Sequence, residues 1–530
     1  MKSGILGGLL LFVLIAYLTL LPNLLQASGP EFLQASESEP EFLVTKINIT
    51  GNTIISSKDL APTVKNYEGR FLTLSELQKA AALITEEYKK RGYILAKAYV
   101  PEQKLVNCEA EIAILEGKIG EIIIQGDHKY YSTNFIKKYF DPILKEQALN
   151  QDTLERAILI LNEYPRLNVK TMLQAGKEPG TTDLIVKAEN ALPIHFTLDY
   201  NNFGSRYVGR SRYGATLDVG NLIREGSLLS LRGVTGDDPD DILFGRASYS
   251  VPVNNIGTKV GIYYANGDFD VGREFAILDM KGETESYGFY ITHPFIKKRN
   301  MSLTAEFDFD VKNAKQYIFG SIISSNDKIR SIRGGVSFDC TDTTGRTATA
   351  LFITQGLGHF LGAMENNYEY ASRYGADNRF TKVNLDLIRL QKVLPYMFLI
   401  LKGSGQWASD SLVANEQFSI GGADSVRGYP EAEYLGDHGY SATAEMRISP
   451  ISSKKDLMQI ALFIDTGGIV VKNPVPGQDD HHALTGGGAG LRFKLPYDFD
   501  IRADVGFPLS PSNSSENKDA ILYFQAVKRF

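Results

Sequence analysis

The sequence predicts a mainly β chain in which two small α+β domains precede an antiparallel transmembrane β-barrel of about 16 strands. Three observations support this fold class. From about residue 193 to the C-terminus, short segments alternate apolar and polar residues with the period of a β-strand. Before them, one plan of strands and helices occurs twice. The N-terminus carries a long apolar run, which predicts export of the chain.

The N-terminal apolar run extends from about Ile5 to Leu25. By length alone it could also be a transmembrane anchor. The small residues Ala27 and Ser28 follow it, and the sequence has no other long apolar run that would need an anchor. We therefore interpret residues 1–27 as a cleaved signal peptide. Residues 28–41 are acidic and rich in Ser, Pro and Glu, which predicts a flexible linker.

The composition of the chain narrows its class. The net charge of −6 over 530 residues gives no indication of nucleic-acid binding. The chain has 27 Tyr, 28 Phe and 49 Gly, and its mean hydropathy is −0.15. Such values suit a β-rich membrane protein better than a helical one. The two cysteines, Cys108 and Cys340, fall in different predicted domains, so we expect isolated thiols.

The repeated plan begins each time with a strand-like run, from Phe42 to the turn glycine Gly51 in the first copy and from Ile119 to the turn glycine Gly126 in the second. A run with apolar residues at helical spacing follows in each copy, stopped by Gly92 and by Pro165. Each copy closes with two strand-like runs, at 93–100 and 110–115 in the first and at 168–174 and 183–188 in the second. We place the two domains at residues 42–117 and 118–190.

The barrel prediction covers residues 191–530 and depends on strict alternation. In the first strand, Ile194, Phe196 and Leu198 alternate with polar residues, and similar segments recur to the C-terminus. About 340 residues at about 20 per strand and turn correspond to about 16 strands. The charged residues expected to face the lumen include Asp199, Arg232, Arg246, Glu306 and Arg502. The alternative is a soluble β-sandwich, against which the signal peptide and the number of strands argue.

A glycine-rich loop interrupts the barrel pattern at residues 421–440, and Arg427 stands in its middle. A loop of this length inside a compact domain is usually functional, although a solvated surface arginine would fit the composition equally well. Further on, Asp465 is a lone carboxylate in an apolar strand, so a cationic partner is expected. Arg427 is the natural candidate. Alternatively, Asp465 caps the turn at 466–468.

These two stretches carry a family resemblance. Val426-Arg427-Gly428-Tyr429 resembles the VRGY motif of the outer-membrane two-partner secretion transporters, the haemolysin secretion/activation family. Phe463-Ile464-Asp465 resembles the F-x-D motif of the same family. The resemblance implies a loop folded back into the barrel, with Arg427 bonded to Asp465 on the inner wall. It also implies a barrel of 16 strands, in agreement with the estimate above.

The repeated domains and the C-terminus extend the resemblance over nearly all of the mature chain. The strand and helix order of each copy resembles the POTRA domain, a periplasmic polypeptide-transport module. An open sheet edge in such a domain could add a substrate segment as a further strand, or the domains could be rigid spacers. The terminal aromatic Phe530 resembles the signal by which the barrel-assembly machinery recognises outer-membrane proteins.

The resemblance implies a transporter in the outer membrane, in contact with lipid, with its POTRA domains in the periplasm. It would export an unfolded exoprotein from the periplasm to the cell surface as a monomer, and whether export activates the exoprotein stays open. The sequence contains no catalytic constellation, metal-ligand spacing or cofactor motif, so we expect no enzyme. Two alternatives are an insertase that assembles other barrels and a diffusion porin with appended domains.

Overall fold

The computed structural model describes residues 39–365, 368–451, 455–511 and 519–530. The signal peptide predicted at 1–27 and most of the linker predicted at 28–41 lie outside these residues. Within the described ranges, no helix has both the length and the apolarity needed to cross a membrane. The described chain forms two small α+β domains followed by one closed β-barrel.

The first α+β domain has its main sheet in the order β2-β5-β4, with β1 and β3 paired separately. The single strand expected from residue 42 is therefore two strands, because the chain turns at Thr45, whose backbone N–H donates to the Cys108 carbonyl. The strand expected at 93–100 is shorter than its apolar pattern. The elements are β1 Phe42–Val44, β2 Lys46–Thr50, α1 Ser57–Val64, β3 Arg70–Leu72, α2 Leu74–Lys90, β4 Lys97–Tyr99 and β5 Glu109–Leu115.

Helix α2 shows why the local sequence folds as it does. Thr73 caps its N-terminus by accepting from the Glu76 backbone N–H, while the Glu76 carboxylate accepts from the Thr73 N–H. This reciprocal capping box satisfies two donors that a helix start leaves unpaired. The apolar stripe that ends at Tyr88 is buried against the sheet. Gly92 ends the helix with a φ of +90°.

The second α+β domain repeats this plan with the sheet order β6-β8-β7. Two backbone hydrogen bonds join it to the first domain, from Leu149 to the Gly117 carbonyl and from Gln151 to the Gly92 carbonyl. The two domains thus pack against each other through the turns that end α2 and β5. The elements are β6 Lys118–Gln125, α3 Thr133–Lys138, α4 Asp141–Leu144, α5 Gln151–Leu161, β7 Leu167–Ala175 and β8 Thr181–Asn190.

The barrel closes on itself, since its last strand, β26, pairs with its first, β9, from Asn201↔Gln525 to Thr197↔Arg529. In lipid every backbone group must be paired, and closure leaves the wall without a free edge. The 16 strands of the described wall are β9 Ile194–Asn201, β10 Arg212–Gly220, β11 Leu228–Thr235, β12 Ile242–Pro252, β13 Lys259–Val271, β14 Met280–Lys298, β15 Met301–Ile318, β16 Ile322–Thr341, β17 Gly345–Gly356, β18 Thr381–Leu394, β19 Met397–Ala408, β22 His438–Ile448, β23 Met458–Val470, β24 His481–Leu495, β25 Phe499–Pro508 and β26 Ile521–Arg529. The short strands β20 Phe418–Ile420 and β21 Tyr434–Gly436 form a separate hairpin that is not part of the wall.

Alternation along each strand separates an apolar outer face from a polar lumen. On β23, Leu462 and Ile464 are half exposed on the outer face, whereas Phe463 and Asp465 are buried inside. Charged side chains of the inner face pair across strands. The Arg232 guanidinium bonds to Asp199, and that of Arg333 bonds to Glu306 and Asp308. The lumen is therefore lined by paired charges, as the alternation predicts.

The second domain contacts one of the two rims of the barrel, which we call the domain-side rim. The Glu163 carboxylate receives the ammonium groups of Lys259, at 2.9 Å, and Lys297, at 2.5 Å. Beside it, the ammonium of Lys298 lies 2.7 Å from the Asp152 carboxylate. We call these two carboxylates and three lysines the rim clasp. They join α5 and its C-terminal end to β13 and β14 and hold the domain over one side of the opening.

Candidate functional site

Residues 409–437 form an inserted segment between β19 and β22. It turns back into the lumen from the rim opposite the domain-side rim, which we call the outer rim. Residues 409–420 and 434–437, which include the hairpin β20–β21, form its stem, and the glycine-rich loop between these strands is its tip. The insertion begins before the loop predicted at 421–440. It also ends before that loop does, because residues 438–440 already belong to β22. Sequence pattern placed the loop but not the hairpin, whose strands have only three residues each.

The tip can pack closely because glycines occupy its tightest positions. Gly421, Gly422 and Gly428 have φ values of +104°, +97° and +103°, a region that favours glycine. At Gly428 a Cβ atom would collide with the backbone of Phe507 and Pro508 on the barrel wall. The tip therefore lies directly against the end of β25, with no room for a side chain between them.

Val426 and Tyr429 fix the tip on either side of Arg427. Val426 is fully buried in an apolar cluster with Ile420 and Leu484. The Tyr429 hydroxyl donates to the Thr485 carbonyl at 2.9 Å, and the backbone carbonyl of Tyr429 accepts from the Tyr523 hydroxyl at 2.7 Å. Apolar burial and buried hydrogen bonds together define one position for the motif residues.

Arg427 forms a bidentate ion pair with Asp465. Its Nε and Nη2 donate to Oδ2 and Oδ1 of Asp465 at 2.7 and 3.0 Å, and its backbone N–H donates to Oδ2 at 3.1 Å. The Arg427 side chain is 4% exposed and that of Asp465 is 0% exposed. The Phe463 ring lies under the guanidinium, and the guanidinium carbon is 3.2 Å from the ring centre. Fork geometry and a ring face are the contacts that guanidinium makes better than ammonium.

Two further carboxylates complete the Arg427 centre. Its Nη1 donates to Glu445 at 2.8 Å and lies 3.4 Å from Asp504. Arg492 bridges the same two carboxylates, at 2.6 Å from Asp504 and 3.3 Å from Glu445. The tip is thus bound to β22, β23 and β25 through one buried network in which opposite charges alternate. Such a network tolerates burial because each charge has several partners.

The sequence did not identify Glu445, Asp504, Arg492 or Tyr523 as partners of the loop. Each lies on a regular strand where alternation only places it on the inner face. The available signal was the inward position of acidic and basic residues on neighbouring strands, which marks many other lumen residues equally. Their convergence on Arg427 depends on strand order and register.

Phe530, the predicted assembly signal, lies at the domain-side rim and is exposed. Its ring centre is 5.8 Å from that of Phe196, and its backbone N–H donates to the Phe196 carbonyl at 2.8 Å. The second domain reaches it through Arg166, which donates to the Phe530 carbonyl at 3.2 Å. The C-terminus thus sits at the seam where the first and last strands meet.

The Arg427 centre binds the loop tip to the barrel wall. Its groups are mutually paired charges, and within the described residues no cluster of His, Cys, Asp or Glu side chains could hold a metal ion. Cys108 and Cys340 are free thiols in separate parts of the molecule. What the arrangement can do chemically is hold a polar loop across a hydrophilic lumen.

Comparison with known proteins finds matching family models and similar chains. A family model described as haemolysin secretion/activation protein ShlB/FhaC/HecB matches residues 180–493, and one described as POTRA domain, ShlB-type, matches residues 42–117. The heme/hemopexin transporter protein HuxB of Haemophilus influenzae (strain 86-028NP) is 27% identical over 511 residues, covering 93% of this chain and 89% of HuxB. The outer membrane transporter CdiB of Dickeya dadantii (strain 3937) is 23% identical and covers 76% of this chain and 71% of its own.

Among solved structures, CdiB from Escherichia coli superposes with a TM-score of 0.79 at 19% identity, covering 97% of this chain and 93% of that chain. BamA from Haemophilus ducreyi lacking POTRA domains 1–3 gives a TM-score of 0.56 at 14% identity, covering 92% of this chain and 100% of that chain. Both likenesses concern the fold. The described fold is thus shared with these two solved structures.

Proposed function

The chain belongs to the haemolysin secretion/activation family, and from that premise we propose how it moves its cargo. Transporters of this family export a partner exoprotein across the outer membrane by two-partner secretion, and this chain is such a translocator. It resides in the outer membrane with its POTRA domains in the periplasm. The domain-side rim is accordingly the periplasmic rim.

The first step is capture of an unfolded exoprotein segment by the POTRA domains. Each small sheet has open edges, β2 and β4 in the first domain and β6 and β7 in the second. An open edge can add an extended segment as a further strand. The rim clasp holds the second domain beside the lumen, which would keep a captured segment near the opening.

The second step is passage of the extended chain through the lumen to the cell surface. The paired charges of the inner wall suit a polar, unfolded polypeptide. Folding of the exoprotein outside would draw the chain outward, without nucleotide hydrolysis.

The Arg427 centre anchors the inserted segment within this path. Breaking a buried charge pair costs about 3–5 kcal/mol, so the centre holds the loop firmly while the rest of the segment moves. Val426, Gly428, Tyr429 and Phe463 serve this anchoring by the contacts described above.

Phe530 would be read by the barrel-assembly machinery during insertion, and the transporter would act as a monomer. Family members are transporters. We propose that this chain likewise has no enzymatic activity.

The observation that carries the proposal is the inserted segment anchored by Arg427 inside a closed barrel that follows two POTRA-like domains. The test is secretion of the partner exoprotein in cells with wild type, Arg427→Ala or no transporter. We expect the exoprotein to accumulate in the periplasm without the transporter, and secretion to fall by about a hundredfold with the variant.

Assembly of other outer-membrane barrels serves as the control in the same cells. Intact secretion with failed barrel assembly would instead identify an insertase. Unchanged secretion and assembly with lower permeability to small solutes would identify a porin.

A further inference from the structure

Glu416 is a buried carboxylate in the stem of the inserted segment, and the anchoring by Arg427 does not involve it. Its side chain is 3% exposed and lies just before β20. The ammonium groups of Lys312 and Lys382 approach its two oxygens at 2.8 and 2.6 Å. One carboxylate thus holds two cations at the outer end of the lumen.

The two lysines belong to a different sector of the wall from the partners of Arg427. Lys312 is on β15 and Lys382 is on β18, whereas Asp465, Glu445 and Asp504 are on β23, β22 and β25. The inserted segment is therefore attached at two depths and in two directions. Arg427 holds its tip deep in the lumen, and Glu416 holds its stem near the outer rim.

Near Glu416, apolar side chains pack the outer end of the lumen. Leu412 and Val413 of the stem are buried in an apolar cluster with Ile329 of β16, Met364 and Phe380. These last two belong to the loop 357–380, which joins β17 to β18. The stem thus fills the space between that loop and the barrel wall.

A second buried carboxylate, Asp437, closes the other end of the stem. It is fully buried and accepts from the backbone N–H groups of Leu412 and Lys472, each at 2.6 Å. The Arg373 guanidinium of the loop 357–380 pairs with it at 2.5 Å. The stem, the loop 357–380 and the segment that follows β23 therefore meet at Asp437.

We infer that Glu416 is a positioning residue that keeps the outer mouth of the pore closed by tying the stem to Lys312 and Lys382. Removing the carboxylate leaves the ammonium groups of Lys382, whose side chain is 12% exposed, and Lys312, whose side chain is 39% exposed, without their shared partner, which disfavours the packed arrangement. The stem then leaves the wall while Arg427 still holds the tip. This inference rests on the proposed export function, since it assigns closure of the same path.

The test measures access to the stem from outside the cell. In a background with Cys108→Ser and Cys340→Ser, Val413→Cys places one thiol in the packed stem, where Val413 is 1% exposed. A membrane-impermeant maleimide is added to intact cells. We expect Glu416→Gln to raise the labelling rate by about tenfold, because the mouth opens.

Two companion variants make the result specific. Asp339→Asn breaks an ion pair with Arg346 whose side chains are 30% and 64% exposed, and it should leave labelling unchanged. The neutral triple variant Lys312→Met, Glu416→Gln, Lys382→Met removes the uncompensated charge and should restore slow labelling. If Glu416→Gln labels as slowly as wild type, or if the triple variant labels as fast as Glu416→Gln, the inference is wrong.

The readout is independent of export, because labelling requires no exoprotein. Normal export with unchanged labelling refutes the closure role alone, whereas faster labelling in a chain that exports nothing refutes the export function alone. If Glu416→Gln does not assemble, as judged by loss of the faster migration of folded barrels in unheated gels, Lys382→Gln replaces it. That variant keeps the Lys312 pair and should raise labelling by about threefold, and wild-type labelling would refute the inference.

Discussion

The Arg427 centre and the rim clasp use the same chemistry in opposite surroundings. Both pair Lys or Arg with Asp or Glu at hydrogen-bonding distance. At the centre, Arg427 and Asp465 are 4% and 0% exposed, whereas in the clasp Lys259 and Glu163 are 27% and 36% exposed. Water therefore screens the clasp and is excluded from the centre.

The contrast shows which ion pairs determine position and which only bias it. At the centre, fork geometry, a ring face and backbone contacts leave Arg427 one arrangement. In the clasp, three flexible lysines act as point charges on two carboxylates. The loop tip should accordingly be intolerant of conservative change, and the second POTRA domain should tolerate it.

The sharpest test of this contrast is Arg427→Lys, for which we expect the largest effect. Lysine keeps the charge but cannot bond Asp465 through two nitrogens and Glu445 through a third. We expect secretion to fall by about thirtyfold, corresponding to about 2 kcal/mol. The measurement is the secreted fraction of the exoprotein at equal barrel levels in the membrane.

Arg346→Lys is the matched control, because Arg346 and Asp339 form an ion pair that is exposed to solvent. It should secrete like wild type. Equal losses in the two lysine variants would mean that geometry at the centre contributes nothing beyond charge.

A smaller effect is expected from Gly428→Ala. The added methyl group both strains a backbone with φ of +103° and meets the backbone of Phe507, so the tip must retreat. Gly477→Ala, in an outer loop with φ of +88° and open space, has the strain without the collision. We expect secretion to drop by about tenfold in the first variant and to stay near wild type in the second. Similar values would exclude close approach as the reason for glycine at position 428.

The smallest effect is expected at the clasp from Glu163→Gln. The exposed pairs should contribute less than about 1 kcal/mol to docking of the second domain. Labels on the native thiols Cys108 and Cys340 report the distance between the POTRA domains and the barrel. We expect a broader distance distribution in the variant, and a similar broadening of wild type in high salt.

Glu121→Gln is the control, because its partner Lys177 lies in the same domain and both side chains are exposed. It should leave the distribution unchanged. If it broadens the distribution as much as Glu163→Gln does, the clasp has no role in docking.

The clasp should also weaken in acid. Burial raises the pKa of the Glu163 carboxyl, but the ammonium groups of Lys259 and Lys297 outweigh burial and hold that pKa below its usual 4.5. A pKa lower in the docked state stabilises docking above the released pKa, and this contribution disappears as the pH falls through the lowered value. The distance distribution should be constant above about pH 5 and broaden below about pH 4. An unchanged distribution in acid would contradict this account of Glu163.

Much of the fold followed from local patterns. Alternation at Ile194, Phe196 and Leu198 predicts a strand with one apolar face whatever its neighbours are. The capping pair Thr73 and Glu76 starts α2 through contacts three residues apart. The strand expected from residue 42 was wrong in one respect, because the turn at Thr45 depends on a hydrogen bond to Cys108, far along the chain.

By itself the sequence determined most of the secondary structure and the membrane-facing pattern, because these depend on neighbouring residues. Its length indicated about 16 strands, and the motif resemblance implied the pair Arg427 and Asp465. Only the tertiary structure decided that Glu445 and Asp504 join that pair and that Glu416 meets Lys312 and Lys382. These contacts join strands far apart in the chain. Their geometry depends on strand order, register and barrel closure, which are properties of the whole sheet and not of any segment.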